Sequence, residues 1–153
     1  MNDVCMFSGH RAISHTAALD EALDRVLAGL YWQGYRVFIS GGAMGFDLIA
    51  AHAVLRLRRQ HDDAQLLMML PCKDQSKRYP ASQKRAYDDI LLAADKVHYI
   101  SESYYEGCLH ERNRRMADNA SVCLCYLTSA KGGTAYTVSY AVQRGLTIIN
   151  LAL

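Results

Sequence analysis

Ser40-Gly41-Gly42-Ala43-Met44-Gly45-Phe46-Asp47 is the stretch on which the fold turns. The apolar run Arg36-Val37-Phe38-Ile39-Ser40 before it reads as a buried strand, and the pattern from about Phe46 to Gln60 after it reads as an amphipathic helix. Glycines at such a strand-to-helix corner let the backbone take positive φ and keep side chains away from its amides. The helix behind them adds unpaired N–H groups and the positive end of its dipole, a combination that attracts anions. Lys131-Gly132-Gly133-Thr134 repeats the arrangement near the end of the chain. The two corners are expected to face one cleft and to hold a phosphate-bearing guest between them.

Outward from that corner the chain alternates strand and helix. Toward the start, Asp3 to Ser8 reads as a strand ending in the polar turn Gly9-His10-Arg11, and Thr16 is placed to cap a helix whose stripe is Leu19, Leu23, Val26, Leu27 and Leu30. Gly34 stops that helix. Toward the end, Gln65 to Leu70 reads as a third strand closed by Pro71, which has no N–H for a ladder. A long polar loop from Cys72 to Pro80 leads to a helix over Ala81 to Ala94, then a strand over Lys96 to Ile100. A polar helix, Cys108 to Asn119, precedes a strand over Val122 to Leu127. The helix Thr134 to Arg144 and a sixth strand, Leu146 to Leu151, finish the chain. This order predicts one α/β domain over residues 1–153, Rossmann-like and three-layered, its mostly parallel sheet covered by helices on both faces. Ligands of such sheets sit beyond the carboxyl ends of the strands, where Gly9, His10, Arg11, the Ser40–Asp47 corner and the Gly132–Thr134 corner all fall.

Composition narrows the function classes. With 153 residues, 51% hydrophobic and 21% charged, the chain is long enough for a core of its own and ordinary for a soluble protein. A net charge of +2 gives no strong pull toward nucleic acid or membranes. No apolar stretch reaches the roughly 18 residues of a spanning helix, and no secretory signal is legible, so no membrane partner is expected. Five cysteines, mostly in apolar runs, suit buried thiols in the cytoplasm. Cys123 and Cys125 share a strand face with Cys108 and His110 as further donors, but no C-x-x-C spacing exists, and no metal is expected. Cys72, beside Lys73, lacks a partner base, so it carries no nucleophile assignment.

Neither the dinucleotide fingerprint G-x-G-x-x-G nor the Walker pattern is present. Four motifs together are nevertheless specific: Ser8-Gly9-His10-Arg11; Ser40 through Asp47; Arg112-Asn113 with Met116 and Asp118; and Gly132-Gly133-Thr134 with Thr137-Val138 and Tyr140-Ala141. In this order, across nearly the whole chain, they resemble the YpsA-like branch of the SLOG superfamily, which joins the DNA-processing protein DprA to the "Lonely guy" (LOG) phosphoribohydrolases. The resemblance implies a Rossmann-like fold and a nucleotide or nucleotide-derived ligand; no cofactor is expected to be required. Gly41, Gly42 and Gly45 look like a ligand-cradling loop with Asp47 at its helix start. Gly132, Gly133 and Thr134 look like the phosphate loop, and Arg112 and Asn113 like a polar pair reaching the cleft. One departure bears on chemistry: Lys131 stands where the LOG enzymes have proline, and Ala135 to Tyr140 carries no carboxylate for glycosidic cleavage.

Three functions are therefore expected in order: binding or sensing of a nucleotide-type ligand; nucleotide hydrolysis, with Asp47, Glu111 and Arg112 as helpers but no assigned catalytic residue; and single-stranded nucleic-acid binding along Lys73, Lys77, Arg78, Lys84, Arg85, Arg112, Arg114 and Arg115 with Tyr79, Tyr87, Tyr104 and Tyr105 as stacking platforms. Leu109 and Tyr136 are read as exposed helix positions available to a homodimer.

Overall fold

The computed structural model describes residues 3–153. Its elements are β1 (Val4–Gly9), α1 (Ala17–Trp32), β2 (Val37–Ser40), α2 (Phe46–Gln60), β3 (Gln65–Cys72), α3 (Ala81–Ala93), β4 (Lys96–Ser101), α4 (Cys108–Asp118), β5 (Val122–Tyr126), α5 (Gly133–Gln143) and β6 (Thr147–Asn150). The strands lie in the order β4-β3-β2-β1-β5-β6, every neighbouring pair parallel, so the sheet is wholly rather than mostly parallel. From β1 the chain steps outward through β2 and β3 to β4. It then crosses back along α4 to β5, on the other side of β1. The reversal therefore falls between β1 and β5, whose carboxyl ends open a crevice.

Alternation along the strands builds the two faces. Cys5 and Phe7 of β1, with Phe38, Leu66 and Leu70, face a core shared with α1, α2 and α3. Met6, Ile39, Met69, Cys123 and Cys125 face a second core with Met116 of α4 and Val138 and Ala141 of α5. Strands buried on both sides read as near-continuous apolar runs, which is why these runs showed no clean alternation. Thr16 caps α1 as its residue type predicts: its Oγ1 accepts from the Leu19 N–H at 3.1 Å. Among the described residues no helix is long and apolar enough to cross a membrane.

One expectation is corrected. Pro71 does not close β3; the strand continues through it to Cys72, paired with Ser101 of β4. The Gln65 N–H bonds the Arg36 carbonyl on the β2 side, whereas Leu66 accepts from Asp95 on the β4 side. Alternation then aims position 71 at β2, which has already stopped at Ser40, opposite Met68. The missing N–H costs nothing there because no ladder partner remains.

Phe46 locks the central corner. It is fully buried, stands edge-on to Phe7 with ring centroids 6.5 Å apart, and its N–H bonds the His10 carbonyl at 3.2 Å. Gly9 makes room for it, since a Cβ there would sit 2.4 Å from the Phe46 ring. Gly45 holds φ +82 and ψ −125, and a Cβ on it would meet the Arg11 carbonyl oxygen at 2.3 Å. Gly45→Ala is accordingly expected to cost about 3 kcal/mol or more, combining backbone strain with a clash against main chain. Gly133→Ala, with nothing within 4 Å of its added methyl, is expected to stay within about 0.5 kcal/mol of the parent. Urea denaturation of the two variants checks the contrast; a Gly45 variant as stable as the parent would contradict it.

Candidate functional site

Three helices begin at the carboxyl edge of the sheet near the crevice, and their N-termini are not equivalent. That of α5 is open. Gly132 holds φ +99, no side chain caps the helix, and neither Gly132 nor Gly133 has anything within 4 Å of where a Cβ would stand. The first N–H groups of a helix have no intrahelical acceptor, so those of Gly133 and Thr134 are available to a guest. Helix α4 begins at Gly107, in the left-handed region at φ +89 and without a side-chain cap, although its first N–H, that of Cys108, bonds the Tyr105 carbonyl at 3.1 Å. Both ends face one cavity of about 680 Å³, whose wall includes Gly107, Leu109 and His110 on the α4 side and Lys131 through Thr134 on the α5 side. Gly9, His10 and Arg11 from the end of β1, and Ala43 and Asp47 from the central corner, complete its floor.

The α2 corner differs. Gly41, Gly42 and Gly45 are buried behind the cavity wall rather than on it, and Ser40 lies fully buried beneath them. Their polar groups are engaged by the protein itself. The Gly42 N–H donates to Ser40 Oγ at 3.3 Å, the Ala43 N–H to Asp47 Oδ2 at 3.3 Å, and the Gly45 N–H to Gln83 Oε1 at 3.2 Å. The Gly41 carbonyl accepts from Gln75 Nε2 at 3.0 Å and from Arg112 Nη1; the Gly42 carbonyl accepts from the Tyr79 hydroxyl at 3.0 Å. The expectation that these glycines cradle the ligand is corrected accordingly. They are small because the chain packs onto them: a Cβ at Gly41 would lie 2.7 Å from Arg112 Nη1, and one at Gly42 would lie 2.7 Å from Leu70 Cδ2.

What the corner contributes to the cavity is charge. Arg112, on α4, is 3% exposed and also donates from Nε to Asn113 Oδ1 at 2.7 Å. Burial pulls its pKa down while the charge of Asp47 pulls it up. Asp47 is 6% exposed; burial raises its carboxyl to about 6, against the opposing pull of Arg112 and the Ala43 N–H. Both side chains reach the cavity, as does Asn113. A carboxyl close to neutrality lies beside a buried guanidinium and near the open N-terminus of α5, so the cavity combines hydrogen-bond donors and positive potential with one titratable group.

His10 has a structural task as well as a place on the wall. Its Nε2 accepts the Thr128 N–H at 2.9 Å, with Thr128 Oγ1 at 3.1 Å, so the loop after β1 is tied to the loop after β5. Leu127 in that loop is held from the other side by Asn150, which both accepts from its N–H at 3.1 Å and donates to its carbonyl at 3.0 Å.

Of the sequence-predicted residues, Gly9, His10, Arg11, Asp47, Arg112, Asn113, Gly132, Gly133 and Thr134 thus meet around one cavity, while Ser40, Gly41, Gly42 and Gly45 support it from behind. The start of α4 was missed as a wall: Tyr104, Glu106, Gly107 and His110 stand there. Its signal was legible, since Gly107 follows a strand and precedes a helix as the other two corners do. Leu109 is corrected from an outward position to one half-buried against the cavity, whereas Tyr136 is exposed as expected, packs on His110 and accepts from Arg114 Nη1 at 3.2 Å. All five cysteines are free and buried. Cys72 is pushed up to about 12 by burial and by the neighbouring Asp74, while Lys73 pairs with Glu102 instead of activating it.

Comparison with known proteins agrees with this architecture. The family model described as the YspA SLOG family, YpsA, matches residues 2–147. A UPF0398 protein of Halalkalibacterium halodurans is 28% identical over 138 residues, covering 88% of this chain and 71% of the relative. The SPbeta prophage-derived protein YoqJ of Bacillus subtilis is 28% identical over 116 residues, 68% of each. Among solved structures, DNA processing protein A of Streptococcus pneumoniae aligns with a TM-score of 0.67 at 21% identity, over 94% of this chain and 48% of its own. The Helicobacter pylori protein of the same name, described for its single-stranded DNA binding mode, aligns with a TM-score of 0.68 at 21% identity, over 95% and 63%. The chain thus spans about half to under two thirds of those two structures, and likeness at this identity speaks for the fold.

The raised carboxyl of Asp47 sets a pH dependence. Its folded value, about 6, lies above the unfolded aspartate value near 4, so ionising it opposes folding and stability falls as pH rises across that window. Asp47→Asn, which cannot ionise, is expected to exceed the parent in stability by on the order of 2–3 kcal/mol at about pH 8 and to match it near pH 4. Guanidinium unfolding at both pH values decides; equal stabilities at the higher pH would contradict the assignment.

Proposed function

The chain belongs to the YspA SLOG family, and from that premise and the cavity we propose that it binds a nucleotide or nucleotide-derived ligand through its phosphate. One observation carries the proposal: the uncapped start of α5, Gly132 to Thr134, looks into a cavity that also exposes the buried guanidinium of Arg112. Unpaired N–H groups at a helix N-terminus and a desolvated guanidinium are both strongest toward phosphate oxygens, which accept several charge-assisted hydrogen bonds at once. The cavity volume lies in the range that drug-sized ligands occupy, and Tyr104 and Leu109 offer it an aromatic and an apolar surface for a base. The Helicobacter pylori relative in fold, described for binding single-stranded DNA, belongs to the same class of ligand chemistry. Five buried free thiols and a nucleotide guest suit the cytoplasm, where we place a binding or sensing role rather than turnover.

A thermal-shift series with nucleoside monophosphates and sugar phosphates tests this. A ligand at a hundred times its Kd is expected to raise the melting temperature by about 5 °C or more. Gly133→Asp is expected to remove the shift while keeping the fold, since an acid in the first turn favours the helix yet repels a phosphate. A flat response across the panel, or a shift that survives in the variant, would refute the proposal.

Asp47 supports a second function, cleavage of a nucleotide N-glycosidic bond. A buried carboxyl titrating at about 6 is matched to proton transfer near neutrality, in a chain that lacks the LOG glutamate. Incubation with nucleoside monophosphates is then expected to release free base from the parent protein and at least about a hundredfold less from Asp47→Asn. No release by the parent would end this reading and leave binding intact.

A further inference from the structure

The cavity under α5 does not stand alone. A second cavity of about 540 Å³ adjoins it at the carboxyl end of β3, and the two share Arg11, Tyr104 and Leu109 as common wall. The far side of the second cavity is formed by the loop between β3 and α3, where a 3₁₀ turn, Gln75–Arg78, presents Lys77 and Arg78 next to Tyr79. This loop is well anchored: Gln75 and Tyr79 bond the carbonyls of Gly41 and Gly42, and Tyr87 donates to Gln75 Oε1 at 3.2 Å.

Charge on and beside this wall is unevenly used. Lys73 pairs with Glu102 and Lys84 with Asp88, whereas Lys77, Arg78 and Arg11 form no salt bridge among the described residues. Asp74 is the carboxylate on the same wall, and its negative form is held by the Cys72 thiol first and by Lys77 less strongly. Three exposed cations against one carboxylate, around a concave space, attract a dianionic or polyanionic guest. Arg11 stands where the two cavities meet, and Tyr104, 61% exposed, offers its ring at the same place. A single nucleotide held by α5 would leave the second cavity and its cations unused.

We propose that the guest of this site has two nucleotide units joined through phosphate, one unit held at the start of α5 and the other against Lys77, Arg78 and Tyr79, the link passing Arg11. The inference rests on the reading of the first cavity as a nucleotide-phosphate site. Two sources carry that chemistry, a free dinucleotide bridged by pyrophosphate and the end of a single strand joined by phosphodiester. Stacking on an exposed aromatic ring and phosphate contacts from unpaired cations serve both without reading base edges.

Calorimetric titration with adenosine monophosphate, with pyrophosphate-bridged diadenosine diphosphate, and with the phosphorylated phosphodiester dinucleotide of adenosine separates the cases. At least one two-unit probe is expected to bind about tenfold or more tightly than the monophosphate, the gain of one or two charge-assisted contacts; the probe that gains names the source. Lys77→Ala combined with Arg78→Ala is expected to erase that gain and leave monophosphate affinity within about twofold, since neither side chain borders the first cavity. Two-unit probes no tighter than the monophosphate, or a gain that persists in the double variant, would overturn the inference alone. If none of the three probes binds, the nucleotide reading and this extension fall together.

Discussion

The buried guanidinium of Arg112, donating to the carbonyl of Gly41, is the contact on which the site depends. It joins α4, which carries the chain back across the sheet, to the corner where β2 turns into α2. A cation this far from water is tolerated when its donors are satisfied. Gly41 and Asn113 supply the acceptors, and the Asp47 carboxylate, when ionised, adds an attraction that only partly offsets burial. The dependence runs both ways, because only a residue without a side chain at position 41 leaves room for the guanidinium.

That contact divides labour among the corners. At α2 the backbone polar groups are turned inward and spent on Ser40, Asp47, Gln75, Tyr79 and Gln83. At α4 and α5 no side chain caps the helix start, and both starts border the cavity, that of α4 with its first N–H bonded to the Tyr105 carbonyl. The same local grammar, strand then glycine then helix, thus yields a structural joint at α2 and helix starts that border the cavity at α4 and α5. What separates them is tertiary: whether another element arrives to fill the space that glycine leaves.

This explains how far the sequence could be read. Helices announced themselves by period and by caps such as Thr16, and buried strands by apolar runs, so the alternation and its parallel sheet followed directly. Pro71 misled because its effect depends on where β2 ends, a fact held by a different segment. Gly41 and Gly42 misled for a related reason: glycine signals close approach but not what approaches, and here it is the chain's own Arg112 and Leu70. At the second corner nothing lies within 4 Å of where a Cβ on Gly132 or Gly133 would stand, so the open helix start that the sequence suggests is left unfilled. Gly107 carried the same signal, obscured by the two tyrosines and the glutamate that precede it. The perturbed carboxyl of Asp47 was not legible at all, since its burial arises from α4 docking above it.

The ties at the mouth have a consequence for how a guest arrives. His10 must present a bare Nε2 to the Thr128 N–H, which places its ring hydrogen on Nδ1, while Asn150 clasps Leu127 from the neighbouring strand. The segment entering α5 is therefore braced on both flanks before anything binds. A rim braced at Leu127 and Thr128 has little conformational entropy left to lose there, so the proposed guest would meet a preformed edge rather than one it must order.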